Sequence, residues 1–90
     1  MGEVYLALEI RPESAEINVE ELLEKIKQKL AESEKIKILE ASIEPFVFGL
    51  KVIKLKVIIP EEEGAQDYLE AIIKGVEGVE DVIVEDFSRV

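Results

Sequence analysis

The chain has 90 residues, of which 48 % are hydrophobic and 36 % are charged, and its formal net charge is −10. That length predicts a single domain over residues 1–90, with room for one modest core, and the apolar fraction is too high for a disordered chain. The absence of cysteine and histidine excludes disulfides, zinc–thiolate sites and thiol nucleophiles, and it removes the usual general base and the commonest metal ligand.

The first predicted elements are a strand and a helix. The strand is indicated by apolar residues at every second position, namely Val4, Leu6, Leu8 and Ile10, because alternation places them on one buried face. A loop covers residues 12–17. Asn18 then predicts a helix N-cap, with Glu21 as its capping-box partner. The helix that follows carries an apolar stripe at helical spacing, formed by Val19, Leu22, Leu23, Ile26 and Leu30.

Two further strands are predicted in the middle of the chain. Residues 35–43 form the second strand, but their alternation is imperfect, which indicates either a bulge near Ile38 or partial burial of both faces. Residues 51–59 form the third strand. Its core face is predicted from the alternating residues Ile53, Leu55, Val57 and Ile59.

Pro60 and the acidic run at 61–63 interrupt the pattern before a second helix. The apolar stripe of this helix is predicted from Ala65, Tyr68, Leu69, Ile72, Ile73 and Val76. Gly75 and Gly78 mark its end. Residues 79–87 supply a short fourth strand.

The resulting order is β-α-β-β-α-β. Right-handed crossovers in each β-α-β half predict an α+β, ferredoxin-like sandwich with a four-stranded antiparallel sheet. Both helices then cover one face of the sheet, and the other face is left largely open.

No catalytic chemistry is indicated by the motifs of the chain. Its glycines form neither a phosphate-binding loop nor a dinucleotide fingerprint, and its serines have no histidine to activate them. The acidic run at 61–63 lacks the spacing of a calcium loop and indicates a solvated loop. We therefore expect no catalytic residue, no metal and no cofactor, and binding is the expected activity.

The predicted partner is a protein. The negative charge opposes phosphate, which argues against direct nucleic-acid binding and against anionic membranes. An RNA-binding domain of this fold would need aromatic residues on the open face and basic surroundings, and a metallochaperone would need paired cysteines. The chain opens without the pattern of a signal peptide, and no apolar run approaches the ~20 residues that span a bilayer, so a cytoplasmic location is expected.

The segment EPFVFGLK, residues 44–51, places two aromatic rings where a turn is also indicated. Pro45 suits a turn and Gly49 tolerates a positive φ. Counting back from the third strand puts Phe48 on the open face, and Phe48, Gly49 and Lys51 at one solvent-facing end of the sandwich. Two interpretations follow: either both rings cap the end of the core, or a ring is displayed for a partner.

Three segments give the chain a resemblance to a known family over essentially its whole length. They are the opening MGEVYLALEIRPES, the central EPFVFGLKVIKLKV and the ending VEGVEDVIVEDFSRV. In this order and spacing the chain resembles the archaeal translation elongation factor 1-beta family, and it is similar to the C-terminal domain of the eukaryotic elongation factor 1 beta subunits. The resemblance implies a guanine nucleotide exchange factor for the tRNA-delivering GTPase elongation factor 1-alpha, acting without covalent chemistry.

The resemblance also implies which residues contact the GTPase. The family uses this central loop and the C-terminal end, so Phe48 is expected to be the contact phenylalanine, accompanied by Pro45, Gly49 and Lys51. Eukaryotic members have a penultimate lysine that reaches toward the magnesium site of the GTPase, and Arg89 stands at that position here. For Phe46 the sequence allows two positions, in the core or at the contact.

A second hypothesis comes from another class. A ferredoxin-like regulatory or adaptor domain would bind a small molecule, or it would pair with another chain through its sheet. Such a domain would show a ligand pocket or a dimer, and it would not accelerate nucleotide exchange. The sequence does not define an oligomeric state.

Overall fold

The computed structural model describes residues 2–90, and its elements follow the predicted order. They are β1 (Glu3–Pro12), α1 (Val19–Ala31), β2 (Lys37–Pro45), β3 (Lys51–Pro60), α2 (Ala65–Lys74) and β4 (Val79–Arg89), with one 3₁₀ turn at Val47–Gly49 between β2 and β3. The four strands form one sheet in the order β2-β3-β1-β4. Every neighbouring pair in this sheet is antiparallel, so the predicted ferredoxin-like α+β fold is confirmed.

One apolar core lies between the helices and one face of the sheet. The central strands β1 and β3 contribute the residues predicted from their alternation, Val4, Leu6, Leu8, Ile10, Ile53, Leu55, Val57 and Ile59. Every member of the predicted α1 stripe is also buried there. Because each buried aliphatic side chain stabilises the fold by about 1.5–3 kcal/mol, this layer supplies most of the favourable free energy of folding.

Helix α1 begins at the predicted N-cap Asn18, but Glu21 does not return the second hydrogen bond of the predicted capping box. Asn18 has an extended backbone, and its Oδ1 accepts a hydrogen bond from the backbone N–H of Glu21 at 3.1 Å. This bond satisfies one of the N–H groups that the first turn leaves without a helical partner. The cap therefore fixes where the chain turns from the loop after β1 into the helix that covers the sheet.

The edge strand β2 contains the predicted bulge. Its pairing with β3 shifts register between Ile38 and Glu40. The shift leaves Leu39 as the extra residue and turns its side chain toward solvent. The bulge explains the imperfect alternation, because apolar residues before and after it can then share one face.

Two predictions about the second half of the chain are wrong. Tyr68 is 58 % exposed, so it is not part of the buried stripe of α2, which consists of Leu69 and Ile73 and continues into Val76. Strand β4 is not short, since it runs to Arg89. The register between β1 and β4 shifts where Ala7 pairs with Asp86 and Leu8 pairs with Val84. This shift interrupts the alternation of β4, so the alternation pattern in the sequence underestimates the length of the strand.

The face of the sheet that carries no helix is less open than predicted. Glu9 on β1 and Val52 on β3 alternate with core residues and therefore point to this face. Yet Glu9 is only 6 % exposed and Val52 only 1 %. The covered side chains lie toward the end of the sheet where β1 ends and β3 begins.

Removing the helix cap should destabilise the protein without changing its fold. We expect Asn18→Ala to lower the free energy of unfolding by about 1 kcal/mol, because the N–H of Glu21 loses its acceptor. Urea denaturation followed by circular dichroism measures this difference. Asn18→Asp keeps a side-chain acceptor and should stay close to the parent protein, and equal losses in both variants would contradict the cap.

Candidate functional site

The β2–β3 connection is a short loop closed by its own backbone. Pro45, the last residue of β2, is paired with Lys51, the first residue of β3. Inside this pair, the N–H of Phe46 donates to the carbonyl of Leu50 at 2.7 Å, and the N–H of Leu50 donates to the carbonyl of Val47 at 3.2 Å. The residues between them form the 3₁₀ turn, so the tip of the loop has a defined shape.

Phe48 stands at this tip in a conformation that aromatic residues rarely adopt. Its φ is 58° and its ψ is 32°, and among residues 2–90 no other non-glycine residue has a positive φ. A left-handed conformation costs a non-glycine residue about 1–3 kcal/mol. The ring is also 95 % exposed, so neither core packing nor burial accounts for this strain.

Gly49 continues the same turn. Its φ is +75°, and a Cβ added to it would meet no atom within 4 Å. The requirement for glycine therefore comes from the backbone conformation and not from close packing. Phe48 and its neighbour Val47 are both exposed apolar residues of this turn.

The two phenylalanine rings have different surroundings. Phe46 is half-buried, and the guanidinium carbon of Arg11 lies 4.8 Å from the centre of its ring. Phe46 does not belong to the core cluster. The interpretation in which both rings cap the core is therefore wrong: Phe48 points into solvent, and Phe46 packs beneath a cation of β1. The strand parity used to place Phe48 also does not apply, because Phe48 belongs to the turn and not to β3.

Four of the five expected contact residues lie together. Pro45, Phe48, Gly49 and Lys51 are all exposed in or beside this loop, and we call this region of the molecule, residues 45–51, the loop end. Lys51 also lines a groove of about 310 Å³. Residues 14–20, which include the loop before α1 and the start of that helix, line the same groove. An apolar tip is thus flanked by one basic side chain.

Arg89 lies at the opposite end of the sandwich. It pairs with Val4 at the start of β1, whereas β1 reaches the loop end near Ile10, which pairs with Ile53. The six steps from Val4 to Ile10 alone correspond to about 20 Å of strand. The structure therefore separates Arg89 from Phe48, and we call the region of Arg89, Phe87 and Glu61 the C-terminal end.

Two contacts characterise the C-terminal end. The Nε of Arg89 forms an ion pair with the carboxylate of Glu61, while most of the arginine side chain remains exposed. Phe87, two residues earlier on β4, is half exposed and lines a groove of about 220 Å³ together with Arg89 and residues 61–63. The alternation pattern did not identify Phe87 as a surface residue, because the strand was predicted to stop there.

A network of charges crosses the face that carries no helix. Glu9 accepts hydrogen bonds from Lys54 Nζ at 3.0 Å on one carboxylate oxygen and from Arg11 Nε at 2.7 Å on the other. Lys54 also donates to Glu85 at 2.7 Å. Burial alone would raise the pKa of Glu9, but the hydrogen bonds and charges of Lys54 and Arg11 outweigh it and hold the pKa below its ordinary value of 4.5.

The pKa values of two lysines on this face are raised above their ordinary value of 10.5. Hydrogen bonds to Glu85 and then Glu9 raise the pKa of Lys54. A hydrogen bond to Glu40, at 3.1 Å, raises the pKa of Lys56. Both lysines are thus already paired with carboxylates of the chain.

Within residues 2–90, no group of histidine, cysteine, aspartate or glutamate side chains could hold a metal ion. Over the same residues, no helix is long and apolar enough to cross a membrane. A groove of about 500 Å³ lies between the end of α1 and the start of α2. Four glutamates line it together with apolar residues and Lys35, and Lys35 is already paired with Glu62 at 3.2 Å. The most unusual surface of the described chain is therefore the strained aromatic tip.

A ferredoxin-like sandwich with an exposed, conformationally fixed aromatic tip has the features of a protein-binding module. Comparison with known families specifies the class further. The EF-1 guanine nucleotide exchange domain matches residues 5–90. The chain belongs to this family, which confirms the resemblance found in the sequence.

Named relatives cover the same length. The chain is 45 % identical to elongation factor 1-beta of Hyperthermus butylicus over 91 aligned residues, covering 100 % of this chain and 97 % of that protein. It is 43 % identical to the protein of the same name from Staphylothermus marinus, with 100 % and 99 % covered. The corresponding protein of Archaeoglobus fulgidus is 40 % identical, with 98 % of each chain covered.

A solved structure supports the fold independently. The solution structure of the C-terminal domain of the MgtC protein from Mycobacterium tuberculosis superimposes with a TM-score of 0.62, covering 99 % of this chain and 88 % of that domain. The sequence identity is 14 %. This similarity therefore extends to the arrangement of strands and helices and not to function.

The buried carboxylate predicts a pH-dependent contribution to stability. The pKa of Glu9 is lower in the folded protein than its ordinary value of 4.5, so its stabilisation is present above that pH and disappears as the pH falls through the folded pKa. At pH 7 we expect Glu9→Gln to lower the free energy of unfolding by about 1–3 kcal/mol, because a charged acceptor of two hydrogen bonds is lost.

Urea denaturation at a series of pH values between 3 and 7 measures this effect. The difference between the parent protein and Glu9→Gln should shrink toward acid. Glu80→Gln, which neutralises an exposed glutamate of β4, should stay close to the parent throughout. A difference between parent and Glu9→Gln that does not change with pH would contradict the assignment.

Proposed function

We propose that this chain is a guanine nucleotide exchange factor that promotes GDP release and GTP rebinding on elongation factor 1-alpha, and that it contacts the GTPase at both ends of the sandwich. The observation that carries the binding role is Phe48, a strained residue whose ring is 95 % exposed. Membership of the exchange-domain family supports the activity. Relatives of nearly the same length that are named elongation factor 1-beta support the identity of the GTPase.

The tip of the loop supplies binding free energy. Burying a phenylalanine ring in an apolar pocket of a partner is worth about 1.5–3 kcal/mol. Because the turn already holds Phe48 and Gly49 in their left-handed conformations, the cost of ordering the tip falls on folding and not on binding. Val47 enlarges the apolar contact, and Lys51 adds a positive charge at its border.

Binding becomes exchange through thermodynamic linkage. If the factor binds the nucleotide-free GTPase more tightly than the GDP complex, it weakens GDP binding by the same factor. A tenfold weakening requires about 1.4 kcal/mol of differential binding, so one well-buried ring is of the right magnitude if it docks better on the nucleotide-free form. GTP then rebinds because it is the more abundant nucleotide, and the factor itself makes and breaks no covalent bond.

Arg89 is the candidate for action at the nucleotide site. In the free protein its guanidinium is paired with Glu61 at an exposed position, and such pairs contribute little to stability, so the pair can be exchanged for another anion at small cost. A guanidinium brought close to the bound magnesium ion repels it and offers an alternative partner to phosphate oxygens. This role requires no contact between Arg89 and the loop end.

The charge of the chain fits the proposed partner. A net charge of −10 favours approach to a basic protein surface and disfavours direct binding to tRNA or to membranes. We place the factor in the cytoplasm, as one folded domain that uses no metal or cofactor of its own. The alternative of a regulatory domain that binds a small molecule or pairs through its sheet predicts no acceleration of exchange.

Truncating the exposed ring should slow exchange while leaving the fold intact. In an assay of fluorescent GDP release from elongation factor 1-alpha, we expect Phe48→Ala to reduce the rate at subsaturating factor by about ten- to a hundredfold, because the buried ring is lost. Thermal unfolding should be unchanged, since the ring of the free protein has no packing to lose.

Tyr68→Ala is the matched control, because it removes another exposed aromatic ring, on α2, and should keep the parental rate. Phe48→Ala with parental exchange would remove the tip from the mechanism. If the parent protein itself fails to accelerate GDP release, the exchange function is wrong and the regulatory alternative remains.

Arg89 should affect the maximal rate more than the affinity. We expect Arg89→Ala to lower the rate of GDP release at saturating factor several-fold, while the concentration of factor at half-maximal rate changes little, since the loop end still binds. Arg89→Lys retains the positive charge and should preserve most of the activity. Full activity of a chain lacking residues 89–90 would exclude this role.

A further inference from the structure

Glu9 is the only charged side chain buried in the part of the chain that the structure describes. It lies on the face without helices, away from the core, and it belongs to neither of the two proposed contact regions. Its two oxygens hold two cations, Lys54 on one side and Arg11 on the other. Lys54 is in turn fixed by Glu85 of β4, so the carboxylate is anchored to β3 and, through Lys54, to β4.

Arg11 connects this anchored carboxylate to the loop. Its Nε donates to Glu9 at 2.7 Å, and its guanidinium carbon lies 4.8 Å from the ring centre of Phe46. Planar guanidinium groups stack favourably on aromatic faces. The bond to Glu9 fixes the side chain of Arg11, so the position of the ring beneath it is fixed as well.

Phe46 is the residue through which the loop closes. Its N–H donates to the carbonyl of Leu50 at 2.7 Å, and that bond defines the neck from which Phe48 projects. Holding the ring of Phe46 therefore restrains the neck. Without such restraint, a turn that contains a left-handed phenylalanine would relax toward less strained conformations.

We propose that Glu9, Arg11 and Phe46 form a brace that holds the loop end in its docking conformation, and that Arg11 is a positioning residue for Phe48. This inference rests on the proposed function, because it assigns the brace to the same contact. Apparent affinity scales with the fraction of molecules in the binding-competent conformation. Loss of the brace therefore weakens the contact made by Phe48 although Phe48 itself is unchanged.

Arg11→Met tests the brace, because it keeps an apolar stem and removes the guanidinium. In the fluorescent GDP release assay with elongation factor 1-alpha, the rate at subsaturating factor should fall about two- to fivefold, the change that a partly exposed cation–π contact supports. The rate at saturating factor should be preserved. Arg11→Lys, which keeps a charge for Glu9 and for the ring, should recover part of the loss.

Lys56→Met is the matched control for charge. It removes one positive charge from the same face, where Lys56 pairs with Glu40 and not with the loop. Its exchange rate should equal that of the parent protein. If Lys56→Met and Arg11→Met slow exchange equally, long-range electrostatics explains the effect and the brace is wrong.

A double-mutant cycle separates positioning from direct contact. If Arg11 acts only through the tip, Arg11→Met should have no further effect on the rate in a Phe48→Ala background. An equal loss in both backgrounds would show that Arg11 touches the partner itself, which overturns the proposal. An unchanged rate for Arg11→Met alone would overturn it as well.

Amide hydrogen exchange tests the brace in the free protein. Arg11→Met should accelerate exchange at the amides of Phe46 and Leu50, which form the neck, and leave the core amides of β1 and β3 unchanged. Unchanged protection at both neck amides would refute the brace. This measurement is independent of the GTPase, so it distinguishes failure of the brace from failure of the proposed function, in which the parent protein would not accelerate GDP release.

Discussion

Strand β1 pairs with β3 on one side and with β4 on the other, and these two registers set where the two proposed contact regions lie in the molecule. Its buried side chains hold the sheet against the helices. Its first residues pair with the end of β4, and its last residues approach the start of β3. One strand therefore places the loop end and the C-terminal end at opposite limits of the molecule, whose longest dimension is 41 Å.

The loop end is unusual because it exposes a large apolar side chain to solvent. On the core face of the central strands the large aliphatic residues are buried, whereas Phe48 combines an exposed ring with a left-handed backbone. A cost of about 1–3 kcal/mol is tolerable only because the core offsets it. A tip that is strained in the free state but fixed in shape is well suited to docking, since little conformational entropy remains to be lost on binding.

Sequence periodicity predicted the parts of the fold that follow regular burial. The alternation of Ile53, Leu55, Val57 and Ile59, the cap at Asn18 and the bulge near Ile38 are all confirmed. Tyr68 was misplaced because residues at the border of a helical stripe have ambiguous phase, and β4 was shortened because a bulge interrupts its alternation. No local pattern predicts a left-handed phenylalanine, or a cation from β1 packed on Phe46, since that contact depends on tertiary structure. The separation of Arg89 from the loop, by contrast, follows from antiparallel topology alone.

This separation constrains how the factor can act. A partner that meets both ends would have to span more than about 20 Å of sheet, so the proposed contacts of Phe48 and Arg89 would fall on different parts of its surface. The sheet between them is continuous: β1 and β3 pair without a register shift from Glu3 to Ile10, and the hydrogen bonds of Lys54 to Glu9 and Glu85 link β1, β3 and β4 on the outer face. Contacts made by the loop end therefore contribute to nucleotide release only as far as they are stronger on the nucleotide-free GTPase, and the same condition holds for a contact made by Arg89.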